Sequence, residues 1–140
     1  SETRPRNDVR SDQPGGFNMT AARFVPAGNA THAYGALIGY IECSYAQLVD
    51  VFGVPNGDTD DYKVSTSFLV RDTAAGVTIE IYDYKATNLY DKSAPSVAQF
   101  RAEPKYRWHI GGMSADIASL AQFIHEKTAQ PCLVPTFRGF

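Results

Sequence analysis

Two consecutive stretches of the chain alternate with the two-residue period of a β-strand. In YKVSTSFLVR, residues 62–71, and in VTIEIYDYK, residues 77–85, the apolar side chains fall mainly on one face. The DTAAG segment between them ends in Gly76 and is typical of a hairpin loop. The two stretches therefore predict an antiparallel hairpin, and its apolar face needs other elements to cover it.

Two segments with helical spacing could supply that cover. Ser44, with Gln47 three residues later, forms a capping box ahead of an apolar stripe, and Gly53 is placed to end this helix. We expect Ser114 to cap a second helix in ADIASLAQFIHEK, which also carries apolar residues along one side. Both segments are therefore predicted to be amphipathic helices.

Two further strands are predicted at residues 34–43 and 105–112, which gives the order β-α-β-β-β-α. This order predicts an α+β fold, an antiparallel sheet of about four strands with two helices packed on one face. We expect three parts: an extended N-terminal arm (1–33), a compact α+β domain (34–130) and an extended C-terminal tail (131–140).

The two terminal segments are candidates for binding a partner. Residues 1–16 are polar and include prolines and paired glycines, so they cannot bury enough surface to order themselves. We expect the N-terminal arm to lie on a neighbouring molecule through Arg4, Arg6 and Arg10. The tail is apolar enough to pack against another surface through Phe137 and Phe140.

Composition and charge narrow the possible partners. The formal net charge is −2, so no basic field attracts nucleic acid, and we do not expect a nucleic-acid partner. No apolar run approaches the roughly 18–20 residues of a membrane helix, so membrane insertion is not expected. The first residues lack the apolar segment of a secretory signal, which predicts a protein not secreted by that route.

The cysteine and histidine residues do not form a metal motif. Cys43 and Cys132 are far apart in the sequence and have no zinc-like spacing, and their pairing is left open. His32, His109 and His125 lack a metal-binding neighbour at the usual spacing. The sequence therefore predicts no metal and no cofactor.

An Asp-Tyr-Lys triplet occurs twice and raises the possibility of a metal-dependent nuclease. Asp61 opens one strand of the hairpin and Asp83 and Lys85 end the other, so the carboxylates could meet across the pair to hold Mg²⁺. Glu80 is predicted to point away from Asp83, because their separation is odd. The alternative interpretation is charge pairing at the end of a sheet.

The hairpin also predicts a surface for protein contact. Tyr82 and Tyr84 project outward beside Tyr62, and tyrosine tolerates both water and burial. A weaker alternative is the KYRWH segment, residues 105–109, in which basic side chains and aromatic rings alternate as in some nucleic-acid-binding strands.

The segments VFGVPNGDTDDYKVSTSF, IYDYK and WHIGG together resemble a pattern of small uncharacterised proteins from phages and large DNA viruses. In that pattern an FG-x-P turn precedes a D-x-K strand, an IYDYK strand and a W-x-IGG turn. The resemblance runs from about Tyr40 to about Phe123. It implies a viral origin, and with it a place in the virion or the host cytoplasm, but no activity.

The leading hypothesis is a non-enzymatic, virus-encoded structural or accessory protein, such as a minor capsid or virion-associated component. Its partners would be other protein subunits of a larger assembly. The first alternative is a soluble viral inhibitor of a host defence protein or signalling molecule, and the second is the metal-dependent nuclease. The sequence favours a role without catalysis and leaves enzymatic activity open.

Overall fold

A computed structural model describes residues 22–28, 33 and 35–135. These residues form one antiparallel sheet and three helices, which confirms the predicted α+β fold. The sheet has five strands in the order β1-β3-β4-β5-β2, whereas about four strands were expected. The strands are β1 (Phe24–Pro26), β2 (Ala36–Cys43), β3 (Ser67–Asp72), β4 (Val77–Tyr82) and β5 (Tyr106–Gly112), and the helices are α1 (Tyr45–Phe52), α2 (Val97–Arg101) and α3 (Ile117–Thr128).

The β3–β4 hairpin forms as predicted and lies near the centre of the sheet. Phe68 pairs with Ile81 and Val70 pairs with Ile79, so the apolar residues share one face. The helices cover this face, and their buried side chains join the strands in one core. The fully buried large side chains of that core include Trp108, Phe68, Ile41, Leu48, Leu120 and Ile124.

β3 is shorter than predicted, because two aspartates take the backbone N–H groups that a longer strand would use. One carboxylate oxygen of Asp60 accepts hydrogen bonds from the N–H groups of residues 62, 63 and 64. One oxygen of Asp83 accepts from Ser65 and Thr66 in the same way. The strand therefore begins at Ser67 rather than at Tyr62.

The capping box that starts α1 is confirmed. The Ser44 hydroxyl accepts from the Gln47 N–H at 3.0 Å, and the Gln47 side chain accepts from the Ser44 N–H at 3.0 Å. The Gly53 N–H donates to the carbonyl of Val49 and ends the helix.

The cap of α3 differs from the prediction. Asp116, not Ser114, precedes the first turn, and its carboxylate accepts from the N–H of Ser119 at 3.1 Å and from the Ser119 hydroxyl at 2.7 Å. Asp116 lies two residues after Ser114 and accepts a hydrogen bond from a backbone N–H group of the first turn. Its negative charge also interacts favourably with the positive, N-terminal end of the helix dipole.

α2 lies in a segment for which no regular structure was predicted, and it closes one end of the core. Phe100 is 2% exposed, and its ring lies 4.7 Å from the ring of Tyr106 and 5.5 Å from that of Trp108. The Arg101 guanidinium lies over the Tyr45 ring and donates to the Thr66 hydroxyl. The segment between β4 and β5 thus contributes to the core.

Parts of both predicted terminal segments join the sheet. β1 lies within residues 1–33 and pairs with β3, and beside it Arg23 forms a bidentate ion pair with Asp72 at 2.9 and 3.0 Å. In the tail, Leu133 forms an isolated bridge with Glu42 of β2. The predicted contact residues Arg4, Arg6, Arg10, Phe137 and Phe140 lie outside the described residues.

Candidate functional site

One face of the sheet carries no helix in the described part of the chain, and a group of aromatic residues gathers there. The strand register places Tyr82 of β4 opposite His109 of β5, and His109 opposite Tyr40 of β2. Side chains of paired residues point to the same side of a sheet, so these three form a row across three strands. They project away from the face that carries Ile81, Ile110 and Ile41.

The rings of this row are in contact, and Tyr84 joins them. The His109 ring centroid lies 4.9 Å from that of Tyr40, 5.3 Å from that of Tyr82 and 5.7 Å from that of Tyr84. Tyr84 follows the end of β4 and is 41% exposed. We call these four residues, Tyr40, Tyr82, Tyr84 and His109, the tyrosine face.

Gly111 provides room for one of these rings. A side-chain Cβ at this position would lie 3.2 Å from a ring carbon of Tyr82. A larger residue would push the ring away from β5, so glycine lets the tyrosine lie close over the strand.

Two members of the tyrosine face, Tyr82 and His109, are uncharged at neutral pH. Burial lowers the pKa of His109, and its Nδ1 atom is buried without a hydrogen-bond partner among the described residues. Burial, with a smaller effect from Glu80, raises the pKa of Tyr82, so its hydroxyl stays protonated. The face therefore offers aromatic area and uncharged hydrogen-bonding groups.

A basic side chain continues the surface from Tyr84 to a second pair of tyrosines. The Lys85 ammonium lies 5.2 Å from the centre of the Tyr84 ring and 4.9 Å from that of Tyr90. The Tyr90 ring lies 5.0 Å from that of Tyr62. Tyr62 is thus linked to Tyr84 through Tyr90 and Lys85.

The residues of the nuclease hypothesis have other contacts. Asp83 is fully buried and accepts from the Ser65 hydroxyl at 2.6 Å with its second carboxylate oxygen. Asp61 is exposed and contacts the Thr59 hydroxyl, while Lys85 lies over the tyrosine rings.

No group of three or more His, Cys, Asp and Glu side chains in the described ranges is arranged to hold a metal ion. The nuclease hypothesis stays a prediction from the sequence, and the geometry adds no support to it.

The basic residues of the KYRWH segment are paired with an acid. Glu42 on β2 lies opposite Arg107 and contacts it at 3.1 Å, and Lys105 lies 3.8 Å from the same carboxylate. This pairing reduces the positive charge that a nucleic-acid backbone would need.

Sequence reasoning found half of the tyrosine face. Tyr82 and Tyr84 were placed outward by strand alternation, but Tyr40 and His109 were not joined to them. Their meeting depends on the register of β2 and β5 against β4, and local sequence carries little information on such long-range pairing.

Comparison with family models and with curated proteins gives no match from which a function could be carried over. No family model matches the chain, and no curated protein matches its sequence. None of the helices in the described ranges has the length and apolar character needed to cross a bilayer.

Proposed function

We propose that this protein is a non-enzymatic, virus-encoded structural or accessory protein that binds another protein through the tyrosine face. The observation that carries the proposal is the cluster of three tyrosines around one histidine, on the side of the sheet without a described helix. The viral origin rests only on the resemblance in the sequence.

The chemistry of the face suits a protein partner. Tyrosine supplies a large apolar ring with few rotatable bonds, so it loses little entropy when a partner covers it. The Tyr84 side chain is exposed, so its hydroxyl can exchange a hydrogen bond with water for one with a partner. Such rings are enriched at the energetic centres of protein interfaces.

Two partners are consistent with this surface. In the leading proposal the partner is another subunit of a virion, and the terminal segments 1–33 and 131–140 add further contacts. In the alternative the partner is a host defence or signalling protein, which this protein would block by covering it.

Site-specific photo-crosslinking tests the proposal. A photoreactive phenylalanine analogue at position 84 is expected to cross-link to one defined protein in cells that naturally express the chain. The same analogue at position 122 is the control, because Gln122 is also exposed but lies on α3, which packs on the opposite face of the sheet.

The identity of the cross-linked protein decides between the two partners. A particle component supports the structural role, and a host protein in the soluble fraction supports the inhibitor. Equal, unspecific labelling from positions 84 and 122 would overturn the proposal that the tyrosine face is the binding surface.

A further inference from the structure

The two cysteines are brought together by the tail of the chain. Cys43 is the last residue of β2, and Cys132 follows α3. Their neighbours Glu42 and Leu133 exchange two backbone hydrogen bonds, Glu42 N–H to Leu133 O at 2.7 Å and Leu133 N–H to Glu42 O at 3.0 Å. Two such reciprocal bonds define a hydrogen-bonded antiparallel pair.

This register places Cys43 directly opposite Cys132. One step beyond a hydrogen-bonded pair comes a non-hydrogen-bonded pair, whose Cα atoms are about 4.5 Å apart with both side chains on one side. Protein disulfides span Cα separations of roughly 4.4–6.8 Å. The backbone therefore has the spacing of a cross-strand disulfide before any bond forms.

The thiols are buried, free and in contact. Cys43 is 2% exposed and Cys132 is 8% exposed, and both are unbridged. A hydrogen bond with Cys132, followed by burial, raises the pKa of Cys43 far above its ordinary value. Cys132 is the more accessible of the two and would meet an external reagent first.

Other contacts hold the tail in this register in the reduced protein. The Gln47 side-chain amide donates to the carbonyl of Gln130 at 3.3 Å and to that of Pro131 at 3.1 Å. A cleft of about 240 Å³ lined by Cys43, Gln47, Pro131 and Leu133, among others, lies beside the pair. This cleft opens to Cys43, whereas Cys132 is the more exposed of the two thiols.

We propose that Cys43 and Cys132 are a redox-active pair that forms a reversible disulfide and fastens the tail to β2. The oxidant class is a low-molecular-weight disulfide such as oxidised glutathione. The Cys132 thiolate attacks one sulfur of the reagent, its S–S bond breaks, and the first thiolate leaves.

Cys43 then completes the exchange. It gives up its proton to solvent and attacks the Cys132 sulfur of the mixed disulfide, which releases the second thiol of the reagent. The two cysteines lose two electrons and two protons in total, and the reagent is reduced to two thiols. The new bond closes a loop that contains α1, β3, β4, α2, β5 and α3.

Thiol trapping in glutathione buffers tests this proposal on the full chain. After incubation in increasing ratios of oxidised to reduced glutathione, the protein is denatured in a maleimide reagent and its intact mass is measured. Both cysteines are expected to lose their reactivity with the maleimide together. The oxidised chain should then have a mass two hydrogen atoms below that of the unlabelled reduced chain, and it should form no dimer on a non-reducing gel. The melting temperature of the oxidised form is expected to rise by on the order of 10 °C.

Cys132→Ser is the control variant and is expected to show neither the paired loss of thiols nor the rise in melting temperature. If that variant folds poorly, the wild-type measurement by itself still tests the proposal. Two free thiols at the most oxidising ratio, or oxidation only to mixed disulfides or dimers, would overturn the proposal.

Discussion

At the scale of single residues, buried Asp83 acts as a support for the backbone. Its carboxylate accepts from the N–H groups of Ser65 and Thr66 at 2.9 and 2.7 Å and from the Ser65 hydroxyl at 2.6 Å. Burial raises the pKa of Asp83 in spite of these bonds. The three hydrogen bonds therefore matter more to the fold than the charge does.

Two substitutions at Asp83 separate these contributions. Asp83→Ala leaves two buried N–H groups unpaired and is expected to lower the free energy of unfolding by roughly 2–4 kcal/mol. Asp83→Asn keeps an oxygen for both N–H groups and removes the buried charge, so it is expected to stay within about 1 kcal/mol of wild type. Urea unfolding at neutral pH measures both, and an Asn variant as unstable as the Ala variant would contradict this role.

At the scale of elements, α3 packs on β2 at a glycine. A Cβ at Gly39 would collide with the Cδ1 atom of Ile117, the first residue of α3. The absent side chain is what allows the start of the helix to lie directly on the strand. β2 also has a register irregularity between Leu37 and Gly39.

Gly39→Ala is expected to lower stability by roughly 1–3 kcal/mol, because the added methyl overpacks this contact. Ile117→Val removes the colliding Cδ1 atom and alone costs about 0.5–1.5 kcal/mol. The double variant is expected to be more stable than the sum of the two effects predicts, as thermal unfolding of all four proteins would show. Strict additivity would mean that the two residues do not meet.

The elements also show which parts of the fold local sequence encodes. The capping box at Ser44 and the β3–β4 alternation act over a few neighbouring residues, so both were predicted. The shortened start of β3 was missed because side-chain acceptors from Asp60 and Asp83 replace ladder bonds. The alternation of apolar and polar residues does not reveal that these side chains compete with the neighbouring strand for backbone N–H groups.

Two short elements were missed for a different reason. β1 has three residues and α2 has five, too few for a period to be visible. β1 exists because it pairs with β3, and α2 because Phe100 packs on Tyr106 and Trp108. The prediction of the tyrosine face was incomplete because its other two members, Tyr40 and His109, lie on β2 and β5. Their position beside Tyr82 depends on long-range strand pairing.

At the scale of the whole molecule, stability is expected to fall from the centre of the sheet to its edge. β4 lies between β3 and β5, and Ile79 and Ile81 on it are 1% and 0% exposed. β1 is a short edge strand, held partly by the ion pair between Arg23 and Asp72.

Hydrogen exchange should report this gradient. Amides of β4 are expected to exchange only through global unfolding, and amides of β1 through local opening at lower free energy. Asp72→Asn breaks the ion pair and should speed exchange in β1 more than in β4. Asp91→Asn, at an exposed turn, is the matched control and should leave β1 unchanged. Uniform protection across the sheet would contradict the gradient.

The pairing of β2 with β5 also has a consequence for how the chain is made. β2 leaves the ribosome well before its neighbour in the sheet, and β3, β4 and α2 are synthesised in between. The β3–β4 hairpin can close early, but β2 must wait for a distant strand, which makes its docking a late and slow event. Until then its apolar residues Leu37 and Ile38, exposed even in the finished fold, are open to mispairing, so the pace of translation sets how long a nascent chain is at risk.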